Sequence, residues 1–432
     1  MSDASAEMVS RIEHDDINHV FIEFPDINGI SRSKQLAADY FLENWEDGFA
    51  MNLLLLAQTP RNDVPDGTGF GAEINYGDGV VHPDPRTFSV IPWRNDAARV
   101  ICDFEHEGKV VNGAPRTVLK RVLDQNKFNF NFYVGSELEF YLLEETDKDY
   151  RPTTADNHEC VTWATEEVSP FYNRLTKLAA NYGIDIHSLQ HEHGAGQLEV
   201  LFDYGRPLAQ ADTTFDFKRL VKQVGRDQNQ WPTFMAKPYG NRAGNGYHLH
   251  VSAFNDDVNV FADDGELSDH GRHFVGGLIE HADSLAALGT PNLNGFKRYE
   301  PGSFAPYTAS WGYDNRMTAI RIPPGVTRIE NRIASADANP YLVIASTIAA
   351  GLHGLQEAIE PSEPVNGNPT RRRPNLPPSP ELALKALEND KTLSEILGPE
   401  IIQVYTAAKR CELRAFRNHV TQWERDQYVK TL

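Results

Sequence analysis

Polar and apolar residues alternate through His19–Phe24, and a mostly apolar run follows at Val100–Phe104; both patterns predict strands. Between them, Asp63 to Gly79 is rich in glycine and aspartate and predicts a loop. Residues 14–108 therefore read as short strands and turns. The pattern changes after Asn112-Gly113-Ala114-Pro115. Thr117 to Asp124 has helical periodicity, and longer strand and helix segments alternate from there. A domain boundary is expected near residue 110, dividing the chain into 14–108 and 112–432.

In the second part, Pro170–Tyr182 and Phe215–Gln230 carry helical periodicity. Asp337-Ala338-Asn339-Pro340 offers a polar cap and a proline in the first turn, predicting a helix that runs to about Ala358. That segment is apolar around most of its circumference, so it is expected to be buried. A loop rich in proline and arginine, Pro361–Pro380, precedes further helices to the C-terminus.

Four predicted strands carry chemistry on one face. Along Phe128–Leu143 the even positions are almost all apolar, while Glu137 and Glu139 fall on the odd, opposite face. Gln197 and Glu199 share a face, with Glu192 just upstream. His248, His250 and Ser252 share another, and Arg328, Glu330 and Arg332 a fourth. Any one of these is equally an ordinary amphipathic strand with a solvated side. Four together predict a shared polar cavity.

Composition narrows the chemistry. A length of 432 residues favours two domains, and a formal net charge of −20 disfavours nucleic acid as the main partner. The three cysteines, Cys102, Cys160 and Cys411, are widely spaced, which fits neither a disulfide framework nor a thiolate zinc site. No signal-peptide pattern or membrane-length apolar run is present, so a cytoplasmic protein is expected. Carboxylates with one or two imidazoles and no cysteine favour Mg²⁺ or Mn²⁺ over zinc. Crowded carboxylates also repel one another unless cations sit between them. Arg298, Arg316, Arg321, Arg328 and Arg332 supply paired donors for phosphate and carboxylate oxygens.

At this level the motifs are recognisable. Gly135-Ser-Glu-Leu-Glu139, Gly194-Ala-Gly-Gln-Leu-Glu199, Lys237-Pro238, Gly246-Tyr-His-Leu-His250, Lys297-Arg-Tyr-Glu-Pro-Gly302, Asn315-Arg316, Arg321-Ile-Pro323, Arg328-Ile-Glu-Asn-Arg332 and Asn339-Pro-Tyr-Leu342 occur in order along the chain. The sequence resembles the glutamine synthetase family. The resemblance implies an α+β fold: an N-terminal β-grasp-like domain, then a catalytic domain whose curved antiparallel sheet is surrounded by helices. It implies stacked rings, usually dodecamers, with active sites between adjacent subunits. By position, Glu139, Glu192 and Glu199 would hold one metal ion, and Glu137, His248 and Glu330 another. Gly244, Arg298 and Arg332 would bind glutamate. Arg316 and Arg321 would meet the transferred phosphate, and His250, Ser252, Arg321 and Arg328 would lie near ATP. The implied reaction activates the γ-carboxylate of glutamate as an acyl phosphate, which an amine then displaces.

The sequence departs from ammonia-using members at two acids. Phe304 stands where they carry a glutamate that caps the site and takes the ammonium proton, and Ala50 aligns with an ammonium-binding aspartate. Ala243 replaces an asparagine of the substrate loop. In these features the chain resembles γ-glutamylpolyamine and related γ-glutamylamide synthetases, and putrescine or another organic amine is the expected acceptor. An ammonia-dependent glutamine synthetase and a catalytically silent nucleotide-binding regulator are the alternatives. Glu300 and Asp314 are the candidate bases.

Overall fold

The computed structural model describes residues 3–147, 149–300, 303–325, 327–369 and 375–432. Pro301 and Gly302 of the Arg298 motif, and 370–374 of the Pro- and Arg-rich loop, lie outside the described residues.

The first strand, His19–Pro25, pairs antiparallel with Ser31–Ala37 on one side and parallel with Ala97–His106 on the other. Asp78–Pro83 and Phe49–Asn52 continue the sheet beyond Ala97–His106. A helix precedes it, Asp3–His14, which the sequence reading did not include; Met8 and Ile12 bury its inner face against the sheet's apolar side.

The larger sheet orders its main strands as Ile186–His191, Gln197–Phe202, Asn131–Glu145, Tyr247–Asn255, Ile329–Asn331, Ile320–Ile322 and Trp311–Tyr313. Pairing along it is antiparallel except at the last edge, where Trp311–Tyr313 runs parallel to Ile320–Ile322. The expected alternation holds on Asn131–Glu145: Phe132, Val134, Ser136, Leu138 and Phe140 are buried, while Tyr133, Gly135, Glu137 and Glu139 are only partly so. Apolar side chains thus hold one face on the core and leave the other for the site.

Behind the core face lie Pro207–Asp227 and Pro340–Gln356. The first starts eight residues before the expected Phe215, with Pro207 in its first turn, where a missing N–H costs nothing. The second is buried from Pro340 to Leu352, as its composition predicts, and Asn339 caps it by accepting from Tyr341 N at 3.0 Å. It packs against Asp269–Glu280 at backbone contact. A Cβ on Gly277 would lie 2.1 Å from Ala350 O, and one on Gly354 would lie 2.1 Å from His273 O, so only glycine permits this approach.

Arg116, at the start of the Pro115–Asp124 helix, ties the two sheets' surroundings together. It donates to Asp84 at 2.9 Å and Asp103 at 2.9 and 3.0 Å from the first part, and to Asp212 at 2.9 and 3.0 Å in the second. Tyr341 Oη donates to the same Asp212 at 2.7 Å. A buried guanidinium so surrounded has its charge matched and its donors filled.

Candidate active site

Side chains at directly opposed positions of an antiparallel pair share a face, so register alone builds this site. One row across the sheet reads Gln190, Glu199, Glu139. The next places Glu137 opposite His248. The third runs Gly135, His250, Glu330, Arg321. A fourth sets Tyr133 opposite Ser252. Successive rows are two residues apart along Asn131–Glu145, about 6.7 Å of rise.

Two groups of donors converge across these rows. Glu137, His248 and Glu330 offer ligand atoms all within 4.8 Å of one another, and so do Glu139, Glu199 and His248. Oxygen-rich sets with one imidazole fit a hard divalent ion such as Mg²⁺ or Mn²⁺. The first set matches the expected grouping. In the second, His248 takes the place expected for Glu192. Glu192 is instead joined to Glu199 through Gln190, whose Nε2 donates to Glu192 at 2.6 Å and to Glu199 at 2.9 Å.

The local charges show why cations belong there. Burial, then the negative charges of Glu137, Glu139 and Glu192, pushes the Glu199 carboxyl far above the usual range. Burial also raises Glu192, helped by the charge of Glu139. Burial would raise Glu137 too, but His248 at 2.6 Å and His250 at 3.1 Å hold it well below its ordinary value. Burial works against Glu330 as well; Arg332, then His248 and His250, overcome it and hold that carboxyl at about 2. Carboxylates this close repel one another, and a cation among them would relieve that repulsion.

The rows divide two cavities. One, of about 580 Å³, is lined by Glu137, Glu199, His250, Ser252, Arg316, Arg321 and Arg328. Tyr133, Tyr204 and Phe254 line it too and offer flat faces for a base; sequence reading passed over them, although Tyr133 falls on the strand's polar face. Arg328 Nε donates to His250 Nδ1 at 3.2 Å, and Arg316 is exposed. Arg321 donates to Glu330 at 2.8 Å and to Asp314 at 2.7 Å.

The other cavity, of about 420 Å³, is lined by Glu139, Glu192, Gly244, His248, Arg298, Arg332 and Phe304. Arg298 and Arg332 are buried, and Arg298 Nε and Nη1 and Arg332 Nε have no hydrogen-bond partner among the described residues. Burial lowers the Arg298 pKa, so its charge stands desolvated. These nitrogens are buried in the cavity wall rather than open to it, and the two positive charges beside the space suit a carboxylate. Gln197 braces this wall, donating to Glu139 at 3.1 Å and to Gly244 O at 3.0 Å. Phe304 is 66% exposed on the same cavity. Ala50 is exposed on Phe49–Asn52, paired with Val80, and lines neither cavity of its own chain.

The model of the glutamine synthetase catalytic domain matches residues 112–428. The chain belongs to the glutamine synthetase family. The γ-glutamylethanolamide synthetase of Streptomyces coelicolor is 34% identical over 97% of this chain and 94% of that protein. The glutamine synthetase of Thermotoga maritima is 33% identical over 98% and 99%. The glutamate–isopropylamine ligase of a Pseudomonas species is 30% identical over 97% and 96%. A solved structure titled apo GmaS without ligand superposes with a TM-score of 0.88 at 28% identity, over 98% of this chain and 99% of that one. Membership makes this chain an ATP-dependent ligase that forms a carbon–nitrogen bond on glutamate, with the family's mixed helix and sheet fold. Among the described residues no helix is long and apolar enough to cross a membrane.

Proposed function

We propose that the protein joins the γ-carboxylate of glutamate to a small organic amine, through γ-glutamyl phosphate. The carrying observation is the 420 Å³ cavity, which an exposed Phe304 lines together with the arginines Arg298 and Arg332. The arginines suit the glutamate carboxylate; the phenyl ring suits an alkyl chain better than a hydrated ammonium ion. The names of the ethanolamide and isopropylamine relatives support an organic acceptor, and putrescine belongs on the same panel. The Thermotoga maritima relative supports the second reading, an ammonia-dependent glutamine synthetase.

In this reading Glu139 and Glu199 hold one Mg²⁺ or Mn²⁺ ion, with His248 or Glu192 as a further ligand, and Glu137, His248 and Glu330 hold another. Bound there, the ions screen the polyphosphate charge and polarise the transferred group. Arg298, Arg332 and the Gly244 backbone orient glutamate. ATP lies in the 580 Å³ cavity, near His250, Ser252 and Arg328, with its terminal phosphate toward Arg316 and Arg321. The glutamate γ-oxygen attacks that phosphorus, and the arginines take up charge on the equatorial oxygens. Placing both substrates on one rigid sheet supplies the orientation the step needs. We further place the protein in the cytoplasm as a stacked-ring homo-oligomer, a dodecamer by family resemblance. In that assembly Ala50 would meet a neighbouring subunit's site.

The test is phosphate release from ATP with Mg²⁺ and glutamate, offered ammonium, ethanolamine, isopropylamine, putrescine or spermidine. An organic amine is expected to give the highest kcat/KM. A higher value with ammonium than with every amine contradicts the proposal and favours the second reading.

A further inference from the structure

We infer that Glu300 is the carboxylate that holds the incoming amine and accepts its proton, an inference that rests on the organic-amine reading above. An alkylamine whose conjugate acid resembles lysine, with a pKa of about 10.4, arrives at neutral pH as R–NH₃⁺. That nitrogen has no free electron pair until one proton leaves. A base in the acceptor cavity is therefore a chemical requirement.

Three carboxylates line that cavity: Glu139, Glu192 and Glu300. Glu139 is committed to the sheet, accepting from Gly246 N at 2.8 Å and Gln197 Nε2 at 3.1 Å beside the cation-binding group. Glu192 is drawn toward Glu199 by Gln190. The alternative acid, Asp314, lines neither cavity and is bonded to Arg321 at 2.7 and 3.2 Å. Glu300 remains. Among the described residues the one basic group within 4 Å of it is Lys237 Nζ, at 3.9 Å, beyond hydrogen-bond reach. That ammonium already donates to Arg242 O at 2.7 Å.

Position supports the role. The Glu300 backbone is pinned, its N–H donating to Arg298 O at 2.8 Å and its carbonyl accepting from Ser303 Oγ at 2.8 Å. In sequence, Glu300 lies between Arg298, assigned to glutamate, and Phe304, assigned to the alkyl chain, and all three line the same cavity. The Glu300 side chain is 59% exposed, so a proton taken there can pass to water.

The step balances. R–NH₃⁺ gives one proton to the Glu300 carboxylate, and the freed pair forms the N–C bond to the γ-carbonyl of γ-glutamyl phosphate. The C–O bond to phosphate breaks, and the second nitrogen proton leaves with phosphate as HPO₄²⁻. Glu300 then releases its proton to solvent.

The test uses the full-length enzyme and its Glu300→Gln and Glu300→Asp variants. Acceptors are the best alkylamine for the unmodified enzyme and hydroxylamine, which is largely unprotonated at neutral pH. Glu300→Gln is expected to lower kcat/KM for the alkylamine by about 10²–10³. The loss with hydroxylamine should be at least about tenfold smaller. Alkylamine rates in the variant should climb with pH as free amine accumulates, and Glu300→Asp should recover part of the loss. Equal losses on both acceptors, or none on the alkylamine, overturn the assignment. An unmodified enzyme that turns over ammonium but no alkylamine overturns instead the reading beneath it.

Discussion

Arg321 Nη1 stands 2.8 Å from Glu330 Oε2, donating across the strand pair to a carboxylate that is 1% exposed. Arg332 Nη1 donates to the other oxygen of the same group. One buried anion thus aims two guanidinium groups, one toward each cavity, while its oxygens also close the Glu137–His248 set. Glu330 connects the lining of the 580 Å³ cavity to that of the 420 Å³ cavity.

Replacing Glu330 with alanine should therefore abolish phosphoryl transfer, with a loss of at least about 10³ in kcat/KM, several kcal/mol of transition-state stabilisation. Single-turnover ADP formation with glutamate and ATP measures that step directly. Near-normal ADP formation in the variant would remove Glu330 from the phosphoryl-transfer machinery.

Gly244→Ala should raise the glutamate KM by about tenfold or more, roughly 1.4 kcal/mol of lost binding. The new methyl would lie 2.5 Å from Arg298 Cγ and 2.8 Å from the backbone oxygen of Ala236, so the arginine must move. Steady-state kinetics with varied glutamate check this; a KM unchanged within error would mean that Arg298 does not grip glutamate in the position seen here.

Phe304→Glu should shift the acceptor preference toward ammonium. A carboxylate at the mouth of the 420 Å³ cavity attracts a small cation and removes the apolar face that an alkyl chain covers. The ratio of kcat/KM for ammonium to that for the best organic amine is expected to rise about tenfold. An unchanged ratio would detach Phe304 from selectivity.

Much of this site was legible in the chain because a strand's period of two assigns each side chain to a face before any partner is known. Glu137, Glu139, Glu199, His248, His250 and Glu330 fall where that rule puts them. What the rule does not carry is register between strands distant in sequence. The sharing of His248 between both donor groups, and the Gln190 bridge to Glu192, follow from which rows oppose which. The N-terminal helix Asp3–His14 was missed because its apolar stripe is short and interrupted by polar residues. Pro207, by contrast, did mark a helix start that periodicity alone placed too late.

Stability should depend on pH through Arg116. Burial would raise Asp84, but Arg86 and Arg116 overcome it and hold its carboxyl well below the ordinary range. A depressed folded pKa contributes stability that is fully present above the unfolded value, about 3.9, and is lost as pH falls through the folded value. Arg116→Leu should therefore cost about 3–5 kcal/mol at pH 7, because Asp212 loses the cation it pairs with and Asp84 keeps only Arg86. The gap from the unmodified protein should narrow as pH drops below about 4. Urea unfolding across that range measures it; a gap independent of pH would contradict the role given to the pair.

Diffraction from crystals grown with Mn²⁺ and a non-hydrolysable ATP analogue, recorded at the manganese edge, tests the arrangement most directly. Anomalous peaks are expected about 2.1 Å from oxygens of Glu137 and Glu330 in one position, and of Glu139 and Glu199 in another, with the triphosphate reaching toward Arg316 and Arg321. Manganese found only on exterior acids, with no ion among these glutamates, would contradict it.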